Sequence, residues 1–257
     1  MSSLVLIKYP QSILDTLNQD ATVPPDNEIG LSEYGKKVAD QIGTNLAGLL
    51  KGEFSISSSP ALRCTETAKI ISGIVGGIRG TDERLDERKL FGPKAEFTVR
   101  EFRNRQECGY LDPYTLSSGE NESPLSHRIR VEGWLAEILG VAKSADIQIV
   151  VSHGAVIEHL HSSLSWKPAG AIGSTFNFCA PGHAHLWSAV ELPDHRRIWC
   201  CLGANVNLAD AASCTTPLQG FQDLNGLAVD LASDPRFANL ARAASEDSSM
   251  ASDYYIR

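Results

Sequence analysis

The chain has 257 residues, 42% of them hydrophobic and 21% charged, which is the composition of a globular protein and excludes a disordered tail or a collagen. Its 31 acidic against 23 basic side chains give a formal charge of -8, so the surface repels the phosphates of nucleic acid and of anionic lipid, and neither is expected as a partner. The early apolar run at residues 4–7 stops at Lys8, too short for a signal-peptide core or a bilayer span, which points to a soluble, cytoplasmic protein.

In chain order, residues 4–7 read as a short buried strand. Ser32 then caps a helix whose Val38, Ile42, Leu46 and Leu49 recur every three to four residues and form one buried stripe. Residues 54–57 are a second strand candidate. After it, Ser59 and Pro60 read as an N-cap and first helical position, with Ala68, Ile71 and Val75 on the apolar face. Val131, Trp134, Leu135 and Ile138 mark a further helix. Residues 147–151 are a third strand, followed by a helix that opens at Gly154 and turns Val156, Leu160 and Leu164 inward. Residues 168–208 are β-rich, with strand material at 176–178, 186–187 and 198–202. The expected architecture is α/β, a three-layer sandwich with a mostly parallel central sheet flanked by helices. One domain is expected over residues 1–208, with a helical appendage and loose tail over 209–257, because 243–253 (AASEDSSMASD) holds too few large apolar groups to offset ordering entropy.

The six cysteines form no C-x-x-C pair and are expected as free thiols. His159 and His161, two apart on a helix, point about 200° away from each other and cannot share an ion locally, so neither a metal nor another cofactor is expected.

In an open α/β sheet, ligands gather beyond the carboxyl ends of the strands, at exposed helix N-termini. Here those ends deliver Lys8, Tyr9 and Pro10; Ser57, Ser58 and Ser59 leading to Arg63; and Ser152, His153 and Gly154. Two cations and an imidazole brought together suit a phosphate or carboxylate.

LVLI at 4–7, GLSEYGKKVADQI at 30–42, SSPALRCTETAKII at 58–71, RLDERKLFG at 84–92 and VVSHGAVIEHL at 150–160 resemble the histidine phosphatase superfamily, in its branch like cofactor-dependent phosphoglycerate mutase. The resemblance implies the phosphoglycerate mutase-like fold and a phosphate pocket. On it, Arg63 is the second-strand arginine, His153 with Gly154 behind it is the later histidine, Glu87 is the acid that protonates the leaving group, and Arg88 contacts the rest of the substrate. Glu83, in the same D-E-R pattern, competes with Glu87 for the acid role.

The first strand departs from the family. Members end it with Arg-His-Gly, whose histidine attacks phosphorus, whereas Lys8-Tyr9-Pro10 stands here. Lysine keeps the charge but loses the planar fork, and proline fixes φ and removes an N–H. A phenol of pKa near 10 is only about one part in a thousand ionised at pH 7, and overcoming that takes about 4 kcal/mol. Ordinary phosphohistidine turnover is therefore not expected.

The sequence leaves two readings. One is a phosphatase-like protein without its nucleophile that binds a phosphorylated or carboxylated small molecule, or a protein partner. The other is a repurposed enzyme in which His153 is the base, held neutral by the helix dipole, with Glu87 as acid, Tyr9 as a hydroxyl donor or acceptor, and Lys8 with Arg63 gripping an anionic handle. In the first reading Tyr9 is a plug whose hydroxyl bonds to His153 or Arg63.

Overall fold

The computed structural model describes residues 3–25, 28–50, 52–89, 96–108, 122–140, 147–165, 179–191 and 197–212. Six strands form one mixed sheet: β1 (Ser3–Lys8), β2 (Phe54–Ser58), β3 (Ile78–Thr81), β4 (Ile147–Ser152), β5 (His183–Glu191) and β6 (Arg197–Asn207). Their spatial order is β3-β2-β4-β1-β5-β6. The three strands read from the sequence lie parallel at its centre, where β4 pairs with both β1 and β2. β5 and β6 extend the sheet antiparallel, in agreement with the β-rich reading of that region. The strand material expected at 176–178 falls outside the described residues. So does the appendage expected after residue 208, beyond residue 212.

The flanking helices are α1 (Glu33–Leu49), α2 (Leu62–Val75), α3 (Val99–Cys108), α4 (Pro124–Gly140) and α5 (Gly154–Leu164). Successive strand residues point to opposite faces, and the core divides accordingly. Val5 and Ile7 of β1 join Ile149 and Val151 of β4 under α1 and α2, packed on Val38, Ile42, Leu46, Ala68 and Ile71. Leu4, Leu6 and Val150 face the other way, against Val131 and Trp134 of α4 and Val156, Ile157 and Leu160 of α5. Each fully buried aliphatic side chain contributes about 1.5–3 kcal/mol, so a β1 covered on both faces is a rigid rail for the residues at its end.

Two helix starts bear on the site. Ser32 caps α1 as expected, its Oγ accepting from Gly35 N–H at 3.0 Å. Ser59 does not cap α2: that helix begins at Leu62 with Ala61 at the cap. Ser59 Oγ accepts from Ala61 N–H at 3.2 Å instead and is turned toward the site.

The start of α1 is pinned to the segment that follows Pro10. Ser32 N–H donates to Gln11 O at 3.1 Å, its hydroxyl reaches Gln11 Oε1 at 2.8 Å, and a Cβ on Gly35 would run into the Gln11 carbonyl oxygen. Gly35→Ala is therefore expected to cost about 1–3 kcal/mol, read as a lower urea midpoint; an unchanged midpoint would show that this approach is looser than described.

Candidate functional site

The carboxyl ends of β1, β2 and β4 converge on one place. Tyr9 N–H donates to Ser152 O at 3.1 Å and Gly182 N–H donates to Lys8 O at 3.0 Å, which fixes the backbone at the end of β1 on both sides. β4 ends at Ser152, His153 is the N-cap residue of α5, and Arg63 lies in the first turn of α2. Arg63 and His153 are 3% and 0% exposed. Arg63 Nη2 lies 3.2 Å from His153 Nδ1, to which it can donate only when that nitrogen is unprotonated.

At its other nitrogen His153 meets residues that sequence reasoning missed. Nε2 lies 3.0 Å from Ser59 Oγ, 3.6 Å from Asp86 Oδ1 and 3.6 Å from Cys64 Sγ. Ser59 Oγ donates to Asp86 Oδ1 at 2.9 Å, so it accepts from His153 Nε2–H, and the chain of donors runs from imidazole through hydroxyl to carboxylate. The proton on Nδ1 is the contested one, since Arg63 is satisfied there by a lone pair and Glu87 Oε2, 3.7 Å away, by a proton. Burial opposes the charged ring and the Arg63 guanidinium adds to that, but the Cys64 sulfur and Asp86 outweigh both and lift His153 to about 9. These neighbours act against the neutral form expected from the helix dipole. Burial also works against the charge on Asp86, whereas His153 and Ser59 draw its carboxyl down to about 2.

The two D-E-R triplets separate cleanly. In the first, Asp82 caps a 3-10 turn (Glu83–Leu85), Arg84 binds Asp82 and Glu137, and Glu83 is exposed. In the second, Asp86 and Glu87 both reach His153. Arg130 of α4 clamps this loop, donating to the carbonyls of Glu83, Arg84, Asp86 and Glu87 while paired with Glu122 at 2.7 Å. His127, also on α4, lies 3.1 Å through Nε2 from Asp86 O.

Tyr9 lies against Arg63 and His153 by its ring rather than its hydroxyl. The Arg63 Cζ stands 5.0 Å over the centre of the phenol ring, and the ring meets His153 edge-on with centres 5.4 Å apart. The expected hydroxyl bond to either residue is replaced by these two contacts. Burial pushes the Tyr9 phenol well up, and Arg63 only partly offsets it. A ≈ 240 Å³ cavity opens on the far side of Tyr9, lined among others by Lys8, Tyr9, Glu87, Arg88, Arg103 and Gly154. Of the expected binding residues it brings together Lys8, Arg88 and Gly154, while Arg63 stays behind the ring.

His159 packs on His127 with ring centres 4.9 Å apart, and His161 packs on His185 and Trp187, so the two diverge. Among the described residues no group of three or more His, Cys, Asp or Glu side chains is placed to hold a metal ion. Four cysteines, Cys64, Cys179, Cys200 and Cys201, are free. Among the described residues no helix is long and apolar enough to cross a membrane.

A mixed six-stranded sheet between helix layers, with a histidine and an arginine joined at the strand ends, defines an α/β protein of the phosphoglycerate mutase-like kind. The chain belongs to the histidine phosphatase superfamily (branch 1), whose family model matches residues 16–177. That span begins after the end of β1. Among solved structures the chain is similar to a mycobacterial glucosyl-3-phosphoglycerate phosphatase with inorganic phosphate, at 18% identity over 82% of this chain and 100% of that one, TM-score 0.64. It is similar to YhfR of Bacillus stearothermophilus at 17% identity over 81% and 100%, TM-score 0.63. A phosphoserine phosphatase mutant of Entamoeba histolytica in complex with phosphoserine follows at 18% identity over 81% and 99%, TM-score 0.60. These likenesses establish the shared fold. No curated protein matches the chain.

Proposed function

We propose that this chain is a histidine phosphatase-fold protein that binds a phosphorylated or carboxylated small molecule at the strand ends and does not turn it over through phosphohistidine. One observation carries the reading: the side chain at the end of β1, packed against both Arg63 and His153, is a phenol whose ionisation burial opposes. The same observation disfavours Tyr9 as a phosphoryl acceptor, because the attacking species would be the phenolate. The neighbours that act on phosphate esters support the ligand class, and Lys8 with Arg88 in an open cavity supports binding.

The test is paired. 3-Phosphoglycerate is expected to raise the melting midpoint at millimolar concentration or below, while a phosphomonoester panel yields no inorganic phosphate above the uncatalysed rate. Turnover that survives Tyr9→Phe but disappears with His153→Ala would overturn the proposal, and so would the absence of any shift. The acid-base reading, with His153 as base and Glu87 as acid, gains no separate support, because His153 is enclosed and raised rather than held neutral.

A further inference from the structure

We infer that the ligand anion is held in an outer site, by Lys8, Arg88 and Arg103 at the N-terminus of α5, and that Tyr9 screens it from the inner pair Arg63 and His153. This rests on the binding role proposed above and assigns that role to a different set of atoms.

The inner pair is not reachable past the ring as it stands. Arg63 and His153 are essentially enclosed and both pack against the Tyr9 ring, and Tyr9 lines the ≈ 240 Å³ cavity while neither of them does. The cavity has its own cations, drawn from three separate pieces of chain: Lys8 from β1, Arg88 from the loop before α3, and Arg103 from α3. They meet the first residues of α5, since Gly154 and Ala155 line the same space. The Lys8 ammonium lies 3.6 Å from the point where a Cβ on Gly154 would stand. An anion received between the Lys8 ammonium and the first turn of α5 makes favourable contacts with both.

A second feature of the cavity points to a ligand. His127 lines it and is fully buried; its Nε2 is engaged with Asp86 O, and its Nδ1 has no hydrogen-bond partner among the described residues. An Nε2–H tautomer leaves Nδ1 as a bare acceptor, which a ligand hydroxyl would satisfy. An ammonium suits it less, because Arg130 and Arg88 set a positive field at that ring. Asp15, Glu87 and Glu158 also line the cavity, and burial pushes the Glu158 carboxyl up, toward its uncharged form. The ligand class is therefore a small hydroxylated organic phosphate rather than bare phosphate.

Calorimetry on the full chain separates the outer from the inner site, with 3-phosphoglycerate and inorganic phosphate as probes. Arg103 is exposed, so its replacement does not threaten folding. Arg103→Gln is expected to weaken 3-phosphoglycerate about tenfold. Tyr9→Ala is expected to tighten inorganic phosphate at least about tenfold by uncovering Arg63, and Arg63→Gln added to it should remove that gain. The Tyr9→Ala gain stands as a test alone should the double variant not fold. The inference falls if Arg103→Gln binds 3-phosphoglycerate like the unaltered chain, or if Tyr9→Ala leaves phosphate affinity unchanged. If the unaltered chain binds 3-phosphoglycerate not at all, the proposed function falls together with it.

Discussion

Lys8→Arg, Tyr9→His and Pro10→Gly introduced together are expected to give the chain phosphomonoesterase activity at least about a thousandfold above that of the unaltered protein. The factor follows from the nucleophile. A phenol is about one part in a thousand ionised at pH 7 even when exposed, and burial moves Tyr9 further from that, whereas an imidazole offers a free base near neutrality. The three changes act on separate needs. Arginine restores a planar fork for two phosphate oxygens, and glycine restores a backbone N–H and lets the backbone approach closely. The smaller ring removes the wall between the cavity and Arg63. The other residues this route would use lie together: Arg63 and Glu87 both stand beside His153, and Arg130 clamps the loop that holds Glu87. A rapid burst of phosphoenzyme, labile to acid as a phosphoramidate is, would mark the new route. Tyr9→His alone is expected to fall well short, because Lys8 and Pro10 still shape the approach. A folded triple variant that stays inert while binding phosphate would show that the site has diverged beyond β1.

Much of this arrangement is legible in the sequence because it sits in long, periodic or apolar stretches. The runs at 4–7, 54–57 and 147–151 become β1, β2 and β4, and the stripes of α1 and α5 fall on the buried positions expected of them, except that Leu49 at the end of α1 is only half-buried. What was hidden depends on contacts far apart in the chain. β3 has only four residues, including a glycine, and gains its order from pairing with β2. The Ser59-Pro60 pair looks like a helix start, yet the hydroxyl is drawn off to Asp86, 27 residues away, and α2 starts later. Asp86 is masked by standing in a charged run, where a solvated face is the default reading. Only the position of His153 shows it to be an inward-facing group. The same holds for His127, whose helix reads as amphipathic without revealing that one imidazole meets the site.

Stability is expected to fall as the pH drops from 6.5 toward 5, by about 2 kcal/mol for each of His127 and His159 taken separately. Burial is the largest cause for both. Positive neighbours add to it, Arg130 and Arg88 at His127 and the His127 ring with Arg128 at His159, and the two are held down to about 3. The sign follows from which state takes the proton. Below 6.5 the unfolded chain protonates these rings and the folded chain does not until about 3, so acid favours unfolding throughout that window. Because the rings touch, the two losses overlap and their sum is an upper bound. Asp86 contributes nothing in this range: its folded value of about 2 lies below the ordinary carboxylate range, so its stabilisation is present above about pH 4 and is lost only below that. His153 acts in the opposite window. Raised to about 9, it stabilises fully below 6.5 and loses that contribution as the pH climbs through 9. Urea midpoints measured from pH 4.5 to 9 should therefore peak near pH 6.5, with the acid limb flattened in His127→Phe and the alkaline limb flattened in Asp86→Asn. A midpoint that stays level or rises between pH 6.5 and 5 would mean that the pair is hydrated, and that His127 Nδ1 is an acceptor already in contact with water.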